Sequence, residues 1–233
     1  MIRQILIGSL LTISTTICIA QQYGSLKDPR DGRAYKTVKI GSQVWMAENL
    51  NVATFQNGDS IPEAKTVEDW LKAGEMGTPA WCYYENDSIN GSKYGRLYNW
   101  YAVNDSRGIA PKGWKVPTYD EDWEQLKRFL GMQIPLTTGK KLKSVTHWAP
   151  YGGASGQGTD QYGFTALPAG YRTCKGKFSS IEKTTHFWSF GKDTYGQAAT
   201  SHSLGYNSDI LYNSNEDRFK CYGYSVRCLK ISK

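Results

Sequence analysis

The tryptophans constrain this chain more than any other feature. Eight of them, with 16 tyrosines and 7 phenylalanines, are spread over 233 residues rather than gathered in one segment. Burying one aromatic side chain removes about 150–250 Å² from water, worth about 4–6 kcal/mol at about 25 cal/mol/Å². A fold that left such rings outside would forgo its largest stabilising term, so most tryptophans are expected to be scaffold. Trp45, Trp100, Trp114, Trp123 and Trp188 all fall in expected strands, a capped helix or recognisable motifs. A 39% hydrophobic and 21% charged chain is not disordered. Its glycines have no three-residue period, which excludes collagen. The length suits one large domain or two small ones, and no linker or tandem repeat divides it.

The first twenty residues stand apart. Arg3 is followed by an uncharged, apolar run from Ile5 to Ala20 dotted with Ser and Thr. The run falls short of the ~20 apolar residues a bilayer span needs. With Cys18-Ile19-Ala20 ahead of Gln21, it reads as a secretory signal peptide over residues 1–20. No later stretch is apolar enough to span a membrane. The expectation is an exported protein, extracellular, on the cell surface or periplasmic, with a short flexible N-terminus at 21–27 and one domain over 28–231. The formal charge of +7 is scattered, and Lys140-Lys141-x-Lys143 is its one cluster. Without an arginine-rich tract or nucleic-acid motif, no nucleic-acid partner is expected. The basicity is read as solubility, or as affinity for acidic polysaccharide.

Removing Cys18 with the leader leaves Cys82, Cys174, Cys221 and Cys228. An even count in an exported chain points to disulfides, and four cysteines allow three pairings. The segment from Cys221 to Cys228 alternates like a strand and would span roughly 23 Å, whereas bridged Cα atoms lie about 4.4–6.8 Å apart. Those two cannot pair with each other. Cys174–Cys221 with Cys82–Cys228 is preferred, Cys82–Cys221 with Cys174–Cys228 stays open, and free thiols are the remaining alternative. No Cys-x-x-Cys is present, and His147, His186 and His202 share no ligand spacing with the cysteines, so no metal or cofactor is expected.

Local patterns give the elements. Residues 34–40 and 43–47 form a hairpin around Gly41-Ser42. Thr66 to Ala73 reads as a short helix stopped by Gly74. Residues 80–84 read as a strand and 86–92 as a polar loop. After Pro117, Thr118-Tyr-Asp-Glu121 is a capping box, Trp123, Leu126, Phe129 and Leu130 are the buried stripe, and Gly131 closes the helix. Residues 152–158 hold four glycines but lack the lysine and helix of a phosphate cradle, so they read as a flexible surface loop. Strands are expected over 164–172, 186–190, 197–204, 209–212 and 222–231. The class is therefore α+β, with an N-terminal hairpin and early helices followed by a mostly antiparallel sheet with long loops.

Six motifs recur in a familiar order: Asp28–Val38 (DPRDGRAYKTV), Ile40–Asn51 (IGSQVWMAENLN), Tyr94–Ala102 (YGRLYNWYA), Pro111–Thr118 (PKGWKVPT), Gly163–Arg172 (GFTALPAGYR) and Tyr224–Leu229 (YSVRCL). In these the chain resembles the Fibrobacter succinogenes major paralogous domain, over about Asp28 to Leu229. The resemblance implies a fold related to C-type lectin-like domains and formylglycine-generating enzymes, and export from the cell. It supplies no catalytic residues to carry over. The enzyme relatives use two cysteines close together, an arrangement Cys221 and Cys228 do not offer. The Glu-Pro-Asn and Trp-Asn-Asp motifs of calcium-binding lectins are absent.

The function expected is a binding or adhesion module without catalytic activity, taking an extracellular glycan or protein ligand. Tyr195, Tyr206, Asn207, Asp209, Tyr212 and Asn213 are the candidate binding residues, because Tyr gives rigid contact area while Asn and neighbouring Ser give adaptable hydrogen bonds. A structural surface or matrix protein is the alternative. An uncharacterised hydrolase ranks lower, since the sequence shows no His-Glu-x-x-His, Ser-x-x-Lys or nucleophile elbow.

Overall fold

The computed structural model describes residues 21–131, 137–193, 196–215 and 219–232; the expected leader and Tyr195 lie outside them. Strand β1 (Gln22–Lys27) pairs antiparallel with β2 (Ala34–Ile40) along its whole length, so residues 22–27 are a sheet edge rather than the flexible tail expected. β2 turns at Gly41-Ser42 into β3 (Gln43–Met46), as the hairpin pattern predicts. Helix α1 (Val67–Met76) starts at Thr66, whose hydroxyl accepts from the Asp69 amide, but runs past Gly74 to Gly77. Gly74 is there for space: a Cβ on it would stand 2.9 Å from the Cβ of Cys221.

Short elements follow: β4 (Trp81–Cys82), α2 (Ser88–Tyr94), β5 (Leu97–Tyr98), α3 (Trp100–Val103) and β6 (Trp114–Lys115). Asp87 caps α2, which occupies most of the expected polar loop. Before α4 (Glu124–Phe129) the chain makes one wide π-turn over Tyr119–Trp123. The extra residue in that turn moves the capping box along by one: Asp122, not Glu121, returns to the Thr118 amide at 2.8 Å, while the Thr118 hydroxyl accepts from the Asp122 amide. Trp123, Leu126 and Leu130 are buried, but Phe129 is exposed and lies over Gly41.

The second half brings α5 (Thr138–Leu142), β7 (Ala169–Arg172), β8 (Phe178–Ile181), β9 (Thr184–Asp193), β10 (Gly196–Gly205), β11 (Tyr212–Asn215) and β12 (Leu229–Lys230). One sheet has the order β1-β2-β3-β12-β6, a second β11-β10-β9-β7-β8, and β4 pairs with β5. All these pairings are antiparallel except β7 with β9. The architecture is α+β with few helices and mostly antiparallel sheets.

Residues 223–229 are the seam. They are extended, as the alternation predicts, but form no single ladder. Gly223 exchanges backbone hydrogen bonds with Arg172, Tyr224 with Tyr98, and Ser225 bonds to His186 and Trp188. The Val226 and Cys228 carbonyls then accept from the Leu50 and Met46 amides, and Leu229 pairs beside Trp45 and Lys115. All eight tryptophans are buried. Trp45 and Trp123 meet at 4.9 Å with Phe164 against both, and Trp100 meets Trp188 at 5.3 Å.

The Cys174–Cys221 disulfide forms, with Cα atoms 4.9 Å apart, and fixes the β7–β8 turn to the chain entering the seam. Cys82 and Cys228 are buried free thiols, which corrects the preferred Cys82–Cys228 pair. Burial pushes both up to about 12, an unreactive state. In a chain starting at Gln21, a thiol reagent should find no reactive cysteine in the native state and two after unfolding without reductant. Fast labelling of the native protein would contradict this arrangement.

Two histidines are also held neutral. His202 stacks on Trp123 at 4.4 Å with Nδ1 facing the Ser189 hydroxyl, and its Nε2 is buried without a partner. His186 stacks on Tyr224, and its Nδ1 is buried and unpaired. Desolvation lowers His186 to about 4; desolvation, with a contribution from Lys127, takes His202 well below its ordinary value. The unfolded chain therefore binds protons first as pH falls. Stability is complete above about pH 6.5 and should drop below it by about 1.4 kcal/mol per pH unit for each histidine. Urea midpoints between pH 7 and 5 test this: His186→Gln and His202→Gln should each remove about half of the slope, and a flat profile in the unaltered protein would overturn it.

Candidate functional site

A cleft of about 530 Å³ opens beside the first sheet. Tyr23 and Gly24 of β1 stand on one side with Arg33 and Lys36. Ala47, Glu48 and Asn49 come from the chain leaving β3, Ser92 and Lys93 from α2, and Thr165 and Leu167 from the loop before β7. Arg227 of the seam also lines it. Four cationic side chains thus face one carboxylate, and the size falls in the range of ordinary ligand sites, about 300–1,000 Å³.

The floor is a polar network in which four parts of the chain meet. Asn49 donates to the Tyr94 carbonyl at 2.9 Å and to the Ser225 hydroxyl at 3.2 Å. Its own amide oxygen accepts from Arg227 Nε at 3.0 Å and from Nη2, while Nη1 donates to the Phe164 carbonyl. The guanidinium lies over the rings of Phe164 and Phe187 at 4.6 and 5.2 Å. Desolvation pulls Arg227 down to about 9, and Asp160 and Glu48 oppose that from a distance. Glu48 accepts from the Lys36 amide at 2.6 Å, and the Asp160 carboxylate accepts from the Thr165 amide and hydroxyl.

The candidate recognition residues lie elsewhere. Tyr206, Asn207 and Asp209 form the turn after β10, and Tyr212 and Asn213 lie in β11. That turn closes over Lys143, whose buried amine donates to the Gly205 and Ser208 carbonyls at 3.1 and 2.9 Å and lies 3.6 Å from Asp209. The Asp209 carbonyl accepts from the first amides of α5, Gly139 and Lys140. Tyr206 meets Tyr151 edge to face, Tyr212 shares a hydrogen bond with Ser208, and Asn213 donates to the Tyr119 hydroxyl. Asn207 is exposed. Five of the six thus lie in the turn after β10 and in β11, with Asp209 beside Lys143, and none of the five lines the cleft. Lys143 itself, the last member of the lysine cluster, is buried rather than part of a basic surface.

The cleft residues escaped the sequence reading because they are chemically unlike one another and far apart in the chain. A signal was nevertheless present. Nine of the thirteen lining residues fall within five of the six family-like motifs, and only Pro111–Thr118 contributes none. Among the described residues, no group of three or more His, Cys, Asp or Glu could hold a metal ion, and no helix is long and apolar enough to cross a membrane.

The family model described as the Fibrobacter succinogenes major domain matches residues 38–230, and the chain belongs to that family. No curated protein and no solved structure matches it.

Gly95 gives a test of the floor. It ends α2 at φ 78°, where an L side chain is strained, and a Cβ there would stand 2.9 Å from the Leu50 carbonyl and 3.0 Å from the Asn49 Cβ. Gly95→Ala should lower stability by about 1–3 kcal/mol in urea titration. An unchanged midpoint would mean the floor is not held as described.

Proposed function

We propose that this member of the Fibrobacter succinogenes major domain family is an exported, non-catalytic binding module of lectin-like architecture whose ligand is an acidic glycan seated in the cleft. The observation that carries the reading is the cleft's charge: Arg33, Lys36, Lys93 and Arg227 against Glu48. Low-dielectric walls lined by one sign of charge concentrate field and draw in opposite charge. The lining also offers the exposed ring of Tyr23 and, as acceptors, the hydroxyl oxygens of Ser92 and Thr165, whose protons go to the Ser88 carbonyl and to Asp160. Convergence of five motifs on one concavity supports the same place.

A hydrolytic reading has less to support it. General acid–base hydrolysis needs a second titratable group placed to share the work, and Glu48 is the one carboxylate on the lining, already receiving the Lys36 amide. The basic net charge alone would give only diffuse affinity; the cleft gives it a location.

Lys36 and Lys93 are both exposed at the cleft, so reversing them leaves the core untouched. Isothermal titration should show acidic polysaccharides, carboxylated or sulfated, binding at least about tenfold more tightly than neutral ones, and more weakly as salt rises. Lys36→Glu with Lys93→Glu should reduce that binding at least about tenfold. Equal affinity for neutral glycans, or full binding by the double variant, would overturn the proposal.

A further inference from the structure

The structure goes further on which anionic group the cleft takes. A guanidinium carries five N–H donors. In Arg227, 1% exposed, Nε and Nη2 share the Asn49 oxygen and Nη1 takes the Phe164 carbonyl. One N–H on each terminal nitrogen is left without a protein acceptor. Among the described residues no carboxylate forms an ion pair with it; the acids that act on it, Asp160 and Glu48, are engaged by Thr165 and by the Lys36 amide.

Arg172, the other buried arginine, and the partly buried Arg30 are settled differently. Arg30 is paired with Asp28 at 2.6 Å. Arg172 donates to four carbonyls, those of Gly176, Ala64, Lys65 and Thr66. A buried charge left without a counter-charge is costly, and of these three only Arg227 lines the cleft.

We infer that Arg227 is the anion-reading residue of the cleft and that it takes a carboxylate, the uronate group of an acidic saccharide, through its two remaining N–H groups. The inference rests on the cleft reading above. A planar carboxylate satisfies both of its oxygens on a guanidinium fork, the geometry Arg is suited to. A sulfate ester brings a third terminal oxygen that the fork cannot serve. Arg33, Lys36 and Lys93, nearer the mouth, attract any anion; the fork at the floor discriminates among them.

The test uses the chain from Gln21 with trigalacturonate, its methyl ester and a sulfated trisaccharide of equal charge. Trigalacturonate should bind at least about tenfold more tightly than either of the others, and in arginine-labelled protein the Arg227 Nε–Hε resonance should move on its addition. Arg227→Lys, checked for folding by circular dichroism, should lose the preference for carboxylate over sulfate. If that variant does not fold, the resonance of the unaltered protein decides. Equal binding of the sulfated sugar, or an unmoved Arg227 resonance, overturns the carboxylate assignment and leaves the cleft reading standing. No binding of any acidic saccharide overturns both.

Discussion

The rest of the structure depends on one extended segment, residues 223–229, which shares its backbone hydrogen bonds among both large sheets and the small β4–β5 pair. Such sharing is a consequence of short strands. An isolated two-residue ladder is not stable in water, and β4, β5, β6 and β12 each have two residues. β5, β6 and β12 persist because the seam gives their backbone groups partners, and β4 is held between β5 and the Pro62 and Ala64 backbone, in a place from which the tryptophans exclude water. The disulfide from Cys221 to Cys174 fixes the start of that segment, and Gly74 of α1 makes room for it.

The same segment connects fold to site through the two-residue period of an extended chain. Tyr224, Val226 and Cys228 point into the core that holds Trp100 and Trp188. Ser225 and Arg227 point the other way, to Asn49 and the cleft. A change at the seam therefore acts on both. The cleft floor is tied to the end of α2 through the Tyr94 carbonyl, to the loop before β7 through the Phe164 carbonyl and to the seam through Ser225 and Arg227.

Much of this was legible in the sequence, and the parts that were not have physical reasons. The hairpin at Gly41-Ser42, a helix beginning near Thr66 and the burial of most tryptophans follow from local turn chemistry, pattern and ring area. Cys174–Cys221 was reachable because Cys221 and Cys228 are held apart by extended chain. The parity argument for a second bridge failed because Cys82 and Cys228 are buried as small apolar side chains in separate parts of the core, a role parity does not register. The shift of the helix cap to Asp122 depends on a π-turn, which leaves no local signature.

The candidate binding residues of the sequence and the cleft are separate places in the fold. Tyr, Asn and Ser serve both recognition loops and ordinary turns; residues 206–209 form a turn that closes over Lys143, and Tyr212 and Asn213 lie in β11. The cleft draws instead on side chains from β1 to the seam, and only tertiary structure brings Asn49 to Arg227. The most direct measurement of the central claim, that the seam closes the fold and carries the cleft floor, is native-state hydrogen exchange. The amides of Leu50, Tyr98, Trp188 and Tyr224 should exchange only with the free energy of global unfolding. Exchange of any of them through a local opening several kcal/mol cheaper than global unfolding would contradict it.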